Sequence, residues 1–257
     1  HVDENARLAS KKTGEKVKFK WVDEDRKDTE YYFELRILED EITKDVSLMV
    51  VDFAEEDELD ESRLVNAREW LREDIDSNKI QFISKDIYQV NPAIEFPSLF
   101  DIIVLKDVIE HIHDQKKLMG WMQQFLKPGG AIYFGFPPWQ MPFGGHQQLC
   151  TNTLLSKLPY YHLLPTFLYK FILSTAKQPV ADLLEIKETG ISIEKFEKFA
   201  KQTNYKILHN IHYLINPIYE YKFNLKPKIQ FGFIKAIPWV RNFFTTCVYY
   251  LITPNTH

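Results

Sequence analysis

Glycine is scarce in this chain, and none occurs between Gly14 and Gly120. Loops in which the backbone approaches a bound nucleotide closely need small residues that accept a positive φ beside a helix N-terminus. The 257 residues contain only nine glycines. A glycine-rich cofactor loop is therefore excluded from residues 15–119.

Cysteines, long apolar runs and an excess of positive charge are missing as well. The two cysteines, Cys150 and Cys247, cannot form a disulfide framework and have no metal-ligand pattern around them, so no metal site is predicted. The most apolar segment, residues 231–252, is interrupted by Lys235 and Arg241, and no transmembrane segment is expected. The formal net charge of −4 gives no general attraction to nucleic acid.

The composition, 45% hydrophobic and 26% charged, is typical of a soluble globular protein with one large or two small domains. The first residues are polar and charged, which is not the pattern of a signal peptide. The chain begins at His1, from which we expect that an upstream portion is missing. We expect a cytoplasmic protein, and the sequence leaves its oligomeric state open.

Residues 100–136 contain the most informative pattern. The apolar run at 100–105 predicts a buried parallel strand, and Asp114 can cap a helix over 114–126 whose apolar residues recur at helical spacing. A Lys-Pro-Gly-Gly sequence at 127–130 is expected to end that helix, and a second apolar run follows at 131–136. This is a strand–helix–strand unit of an α/β sheet.

The sequences FDIIVLKDVIEHI (100–112) and FLKPGG (125–130) resemble the fourth strand, its D-x-x-E-H turn and the start of the fifth strand of class I S-adenosylmethionine (SAM) dependent methyltransferases. The alternative is an α/β crossover of no particular family. The resemblance implies, over residues 61–257, an incomplete Rossmann-like sheet with helices on both faces. It also implies SAM as the cofactor and methyl transfer to a small-molecule acceptor.

The same resemblance assigns cofactor-binding residues. Glu58 takes the position of the acid that binds the ribose hydroxyls, with a solvated acidic run as its alternative. Asp86 takes the position of the acid that accepts from the adenine amino group, and Ile87 would offer a backbone amide to the ring. The alternative for Asp86 is a helix N-cap or a surface acid. The turn beneath the methionine part of the cofactor comprises Lys106, Asp107 and Val108.

Two histidines are candidate catalytic residues. His111 lies in the D-x-x-E-H turn, where Glu110 orients the backbone, and it either faces the substrate or is packed structurally. His146 lies in the segment 137–148, which three prolines and two glycines keep from regular structure. We call this segment the proline loop. It is expected to form one pocket wall with Trp139, or else merely to cover the core. Either histidine could act as general base.

The missing glycine loop bears on activity. Family members hold SAM through close backbone contacts at that loop, and side chains cannot replace them. We therefore expect weak or undetectable SAM binding, and the sequence leaves open whether the chain is an active enzyme. A non-catalytic fusion or fragment is one alternative.

The first 60 residues differ in character from the rest. Runs at 16–22, 31–38 and 46–53 predict an antiparallel β meander that does not extend the parallel sheet. KFKWVDED and EYYFELRI resemble the C-terminal half of a START-like domain of the Bacteroidetes kind, which implies a hydrophobic-ligand-binding module as a further alternative function. We predict a START-like fragment at 1–60 joined to the methyltransferase-like region at 61–257.

Overall fold

The computed structural model describes residues 18–20, 30–32, 47–51, 72, 76 and 86–255. The chain divides into two compact units. The larger unit comprises Val46–Phe53, Pro92–Asn216 and Pro227–His257, and the smaller comprises His1–Asp45, Ala54–Asn91 and Pro217–Lys226. The predicted boundary at residue 60 stays a prediction.

In the smaller unit, strand β1 (Lys18–Lys20) pairs antiparallel with β2 (Glu30–Tyr32). This pairing confirms the first link of the predicted meander. The smaller unit also contains a 3₁₀ turn at Ile87–Gln89 and a short helix at Tyr219–Phe223. This helix is α7, because six described helices of the larger unit precede it in the chain.

The larger unit is built on a six-stranded mixed sheet. Its strands are β3 (Leu48–Val51), β4 (Phe100–Lys106), β5 (Leu126–Phe136), β6 (Tyr205–Ile215), β7 (Lys228–Ile229) and β8 (Cys247–Pro254). They lie in the order β3-β4-β5-β8-β6-β7, with β3, β4 and β5 parallel and the other neighbours antiparallel. The predicted α/β class is confirmed, as are the neighbouring parallel strands at 100–105 and 131–136.

The prediction for the third N-terminal run was wrong. Leu48–Val51 does not continue an antiparallel meander but pairs in parallel with β4. Asp101 fixes the start of this pairing, because its carboxylate accepts hydrogen bonds from the Ser47 backbone N (2.9 Å) and from Lys127 Nζ (2.7 Å). Leu48 and Val50 remain 43% and 58% exposed. The alternating sequence pattern that predicted an antiparallel strand with one solvent-exposed face therefore also fits this strand at the edge of the sheet.

Short helices connect the strands of the larger unit. They are α1 (Pro92–Glu95), α2 (Gln115–Met122), α3 (Thr153–Lys157), α4 (Thr166–Thr175), α5 (Val180–Thr189), α6 (Ile193–Gln202), α8 (Gly232–Lys235) and α9 (Val240–Phe243). Among the described residues, no helix is both long enough and apolar enough to cross a bilayer.

Helix α2 begins as predicted, because the Asp114 side chain accepts a hydrogen bond from Lys117 N at 3.0 Å. Its end differs from the prediction. The α-helix stops at Met122, a 3₁₀ turn covers Gln123–Phe125, and β5 already starts at Leu126. The Pro-Gly-Gly segment therefore lies at the start of the strand, where Gly129 has a φ of 81°.

The core of the larger unit lies where α6 packs on the centre of the sheet. The Phe196 ring is fully buried, with centroid distances of 5.1 Å to Phe134, 5.0 Å to Phe136 and 4.7 Å to Tyr250. Ser192 caps α6 by accepting a hydrogen bond from Lys195 N at 3.1 Å. This packing holds β5 and β8 in register and fixes the edge of the sheet at which β4 and β5 end.

Candidate active site

The turn after β4 is the first part of the site. Asp107 has a φ of 55°, and its backbone N donates to the Gly135 carbonyl at 2.7 Å, which ties the turn to β5. The Lys106 ammonium forms an ion pair with the Asp107 carboxylate, which is 43% exposed, while Val108 is buried. The turn therefore presents one accessible carboxylate at the carboxyl edge of the sheet, where ligands bind in open α/β sheets.

A 3₁₀ turn, Ile109–His111, follows and carries the acidic and imidazole groups. The buried Gln115 amide holds this turn in place, because it donates to the carbonyl of Ile109 (3.1 Å) and to that of Thr189 at the end of α5. Glu110 is only 4% exposed, and its Oε2 has no hydrogen-bond partner among the described residues. A buried carboxylate oxygen without a partner is costly, so this group is placed for something other than packing.

The proline loop crosses the same edge, and a buried histidine holds it there. His162 Nε2 donates to the Trp139 carbonyl at 2.9 Å, and the Gln147 side-chain amide donates to His162 Nδ1 at 2.8 Å. Both ring nitrogens are thus satisfied in the neutral tautomer with the proton on Nε2. Trp139 N donates to the Ile191 carbonyl at 2.8 Å, which joins the loop to the segment before α6.

Glycine is required where this loop is tightest. A Cβ on Gly145 would overlap the His162 ring, and one on Gly144 would overlap the Trp139 carbonyl. We expect Gly145→Ala to lower the free energy of unfolding by about 1–3 kcal/mol, the usual cost of overpacking. Urea denaturation measures this, with Gly120→Ala as the control. Gly120 lies in α2 with the nearest atom 3.8 Å from a new Cβ, and alanine should stabilise that helix by up to about 1 kcal/mol. Equal stability of the two variants would contradict the assigned packing.

The loop and the turn bring three side chains together. The rings of His111 and His146 lie edge to face with centroids 5.2 Å apart. One ligand-type atom from each of Glu110, His111 and His146 lies within 4.8 Å of the others. Glu110 and His146 also line a small open hollow, which we call the carboxyl-edge hollow. Its other lining residues are Pro137, Trp139, Gly144, Ile186, Gly190 and Ile191. The prediction that the proline loop forms a pocket wall is confirmed.

Burial sets the charge state of this cluster. It raises the pKa of the Glu110 carboxyl well above its ordinary value, and the nearby Asp107 charge adds to the effect. Burial, together with the neighbouring His111, lowers the pKa of His146 to about 4. The pKa of His111 is lowered by burial too, but the charges of Asp107 and Glu185 oppose that change. Both imidazoles are therefore neutral near pH 7.

Two family models match the chain. A methyltransferase domain model matches residues 50–134, and a START-like superfamily domain model matches residues 2–77. Both resemblances are confirmed. The methyltransferase match includes β4, the turn that carries Glu110 and His111, α2 and most of β5. No curated protein sequence matches the chain.

Several solved structures are similar to this chain. An S-adenosylmethionine-dependent methyltransferase from Clostridium acetobutylicum is 14% identical with a TM-score of 0.42, covering 81% of this chain and 75% of that one. A SAM-dependent methyltransferase from Thermotoga maritima, described as a possible histamine N-methyltransferase, is 9% identical with a TM-score of 0.43, covering 83% and 84%. A plantazolicin methyltransferase in complex with a desmethyl analogue and SAH is 11% identical with a TM-score of 0.38, covering 69% and 59%. None of these similarities defines a substrate.

The other predicted cofactor residues of the methyltransferase region are not brought to this cluster by any described contact. Glu58 lies outside the described residues. Asp86 is exposed and belongs to the smaller unit, where its carboxylate accepts from Tyr88 N at 2.9 Å and caps the 3₁₀ turn that contains Ile87. That is the N-cap alternative, and the ribose and adenine roles of Glu58, Asp86 and Ile87 stay predictions.

Sequence reasoning gave Glu110 only an orienting role and did not consider Gln115 or His162. Adjacent Glu and His residues directly after a buried strand were the available signal for Glu110. No local pattern marks His162, because its partners, Trp139 and Gln147, are brought to it only by the folded proline loop.

Proposed function

We propose that the larger unit transfers a methyl group from SAM to a small-molecule acceptor bound in the carboxyl-edge hollow. One observation carries the proposal: a pair of neutral histidines and a buried carboxyl group with one unpartnered oxygen meet beside that hollow, where β4 and β5 end. Their convergence at this edge of a sheet that matches a methyltransferase domain is the arrangement expected of a substrate site.

The residues present fit the cofactor in part. SAM supplies an electrophilic methyl group on a sulfonium, so the protein has to position the acceptor more than to activate the donor. The turn formed by Lys106, Asp107 and Val108 would hold the methionine part through the exposed Asp107 carboxylate. Residues 15–119 contain no glycine, and we expect SAM affinity to be weak for that reason.

The hollow restricts the acceptor. Trp139, Ile186 and Ile191 make its walls largely apolar, and Glu110 and His146 supply the polar groups. A small molecule with one apolar face and one hydroxyl fits this description.

The two histidines are not equivalent. A general base works best with a pKa near the working pH, and burial keeps the pKa of His146 at about 4. The charges of Asp107 and Glu185 favour the protonated form of His111. We therefore assign the base role to His111 and assign His146 the orientation of the acceptor hydroxyl by hydrogen bonding.

Isotope-labelled SAM at millimolar concentration, with a panel of small phenols and alcohols as acceptors, tests the proposal. We expect His111→Gln to reduce methyl transfer by about 100-fold or more, and His146→Ala to reduce it while SAM affinity, measured by calorimetry, stays nearly unchanged. His113→Ala is the control, since His113 is exposed and contacts Glu185. A collapse of SAM affinity in His146→Ala would place the proline loop in the cofactor site. No transfer to any acceptor by the unmodified chain would contradict the proposed function.

A second function is favoured by the START-like match to residues 2–77. It would be the binding of a hydrophobic ligand by the N-terminal region, independently of the cluster. A fluorescent fatty-acid probe distinguishes the two: binding that is unaffected by His146→Ala, without methyl transfer, would favour the START-like function.

A further inference from the structure

We propose that Glu110, His111 and His146 together bind one divalent transition-metal ion. The inference deepens the proposed function and rests on it only for the role of the ion. Binding itself follows from the arrangement of the three side chains.

The donor set is suited to such an ion. Two imidazoles and one carboxylate are the protein ligands of many catalytic zinc sites and of the facial triads that hold Fe²⁺. Three protein ligands leave coordination positions for water or a substrate. Hard cations such as Mg²⁺ prefer oxygen ligands, so we expect this set to favour Zn²⁺ over Mg²⁺.

The geometry is close to that of a closed site. The three ligand atoms lie within 4.8 Å of one another. Ligands at zinc bond lengths in a tetrahedral arrangement are separated by about 3.3 Å. Metal binding would therefore require side-chain rotations that bring the three ligand atoms closer together, starting from two imidazoles whose ring centroids lie 5.2 Å apart.

The Glu110 carboxyl group gives a second observation, independent of the distances between the ligand atoms. Glu110 is 96% buried, yet its Oε2 makes no hydrogen bond among the described residues. Buried polar atoms in folded proteins are almost always partnered, and a bound ion is one of the explanations for an unpartnered one. One carboxylate oxygen of Glu110 lies within 4.8 Å of a ring nitrogen of His111 and of His146, and this arrangement points to a cation.

The ligands lie on supports that are fixed by other contacts. Gln115 clamps the turn that carries Glu110 and His111. His146 has a φ of 50°, and the neighbouring Gln147 is tied to His162. Because Glu110 and His146 both line the carboxyl-edge hollow, an open coordination position would face the acceptor. In the metal-bound chain the acceptor hydroxyl would bind the ion directly, and the ion would take over the base role that we assign to His111 in the metal-free chain.

Zn²⁺ titration of the EDTA-treated full chain, in competition with a chromogenic chelator and without SAM, tests binding. We expect one ion per chain. Glu110→Gln and His146→Ala should each lower the affinity for Zn²⁺ by at least about 10–100-fold. That is the usual cost of replacing a residue that hydrogen-bonds a metal ligand, and replacing a ligand itself should cost no less. His113→Ala should leave the affinity unchanged. Circular dichroism of each variant checks folding.

Substitution with Co²⁺ identifies the ligands. A spectrum without thiolate charge-transfer bands is expected, because the two buried cysteines, Cys150 and Cys247, are not in the cluster. No binding, binding that survives both variants, or thiolate bands would overturn the metal site. Methyl transfer that survives complete chelation would also overturn the role of the ion, while leaving the proposed function and the base role of His111 intact.

Discussion

Acidification from pH 6.5 towards pH 4 is expected to destabilise the larger unit steeply. Two fully buried histidines outside the cluster, His162 and His212, cause this effect. The pKa of His162 is lowered to about 4, mainly by burial. The hydrogen bond to the Trp139 carbonyl raises this pKa, and the charge of Lys187 lowers it. Burial and the charges of Lys235 and Arg241, partly offset by Glu194, lower the pKa of His212 to about 3.

The direction follows from proton uptake. In the unfolded chain both imidazoles have a pKa near the ordinary 6.5, so between that pH and the folded values the unfolded state binds more protons. Stability is fully present above about pH 6.5 and falls progressively below it, and the loss levels off near the folded pKa values of about 4 for His162 and about 3 for His212. Two such protons give a slope of up to about 2.7 kcal/mol per pH unit.

Urea denaturation at half-unit steps from pH 7.5 to pH 4 measures this slope. Buried carboxylates also titrate at the lower end, so the informative quantity is the difference between variants. His162→Gln should remove about 1.4 kcal/mol per pH unit from the slope, whereas His209→Gln, at an exposed position of β6, should remove nothing. Parallel pH profiles for all three chains would contradict the assigned neutral state of His162.

Periodic segments were the part of this fold that the sequence could predict. The apolar runs at 100–105 and 131–136 and the Asp114 cap each depend on contacts within a few residues, and the structure has all of them. The pairing of Leu48–Val51 depends on Asp101, far along the chain, so an alternating run could not indicate its neighbour.

The candidate site also contains features that local sequence predicts and features that depend on residues far along the chain. The turn with Glu110 and His111 follows directly from the strand before it, and its place at the carboxyl edge was predictable from the topology of parallel sheets. The meeting of His111 with His146 needed the fold of the proline loop, which depends on the contact of His162 with Trp139 and Gln147. Side-chain clusters built from separate segments leave little trace in local patterns.

Replacement of Arg241 should have the largest effect of any single substitution that lies away from the cluster. Its guanidinium donates to Glu194 Oε1 at 2.8 Å and to Glu197 Oε2 at 2.6 Å, and these contacts hold α9 against α6. The side chains of Arg241 and Glu194 are only 12% and 14% exposed, and Asn242 Nδ2 adds a hydrogen bond to Glu194 Oε2 at 2.6 Å.

Removal of one partner from a buried ion pair leaves an uncompensated charge and costs about 3–5 kcal/mol. Because Glu197 is 32% exposed and keeps the Tyr250 hydroxyl as a donor at 2.7 Å, we place Arg241→Met near the lower end of that range. The carboxylate of Glu194 then carries most of the penalty. Because Glu194 contacts Arg241 and Asn242 of α9, we expect Arg241→Met also to reduce amide-exchange protection in α6 and α9.

A double variant separates charge from packing. Arg241→Met together with Glu194→Gln removes both charges of the inner pair, so it should recover a large part of the stability that Arg241→Met alone loses. Lys198→Ala, at an exposed position of α6, is the matched control and should change the free energy of unfolding by less than about 0.5 kcal/mol. If the double variant is no more stable than Arg241→Met, the loss of stability comes from the packing of the Arg241 alkyl chain. The ion pair then contributes little to holding α9 against α6.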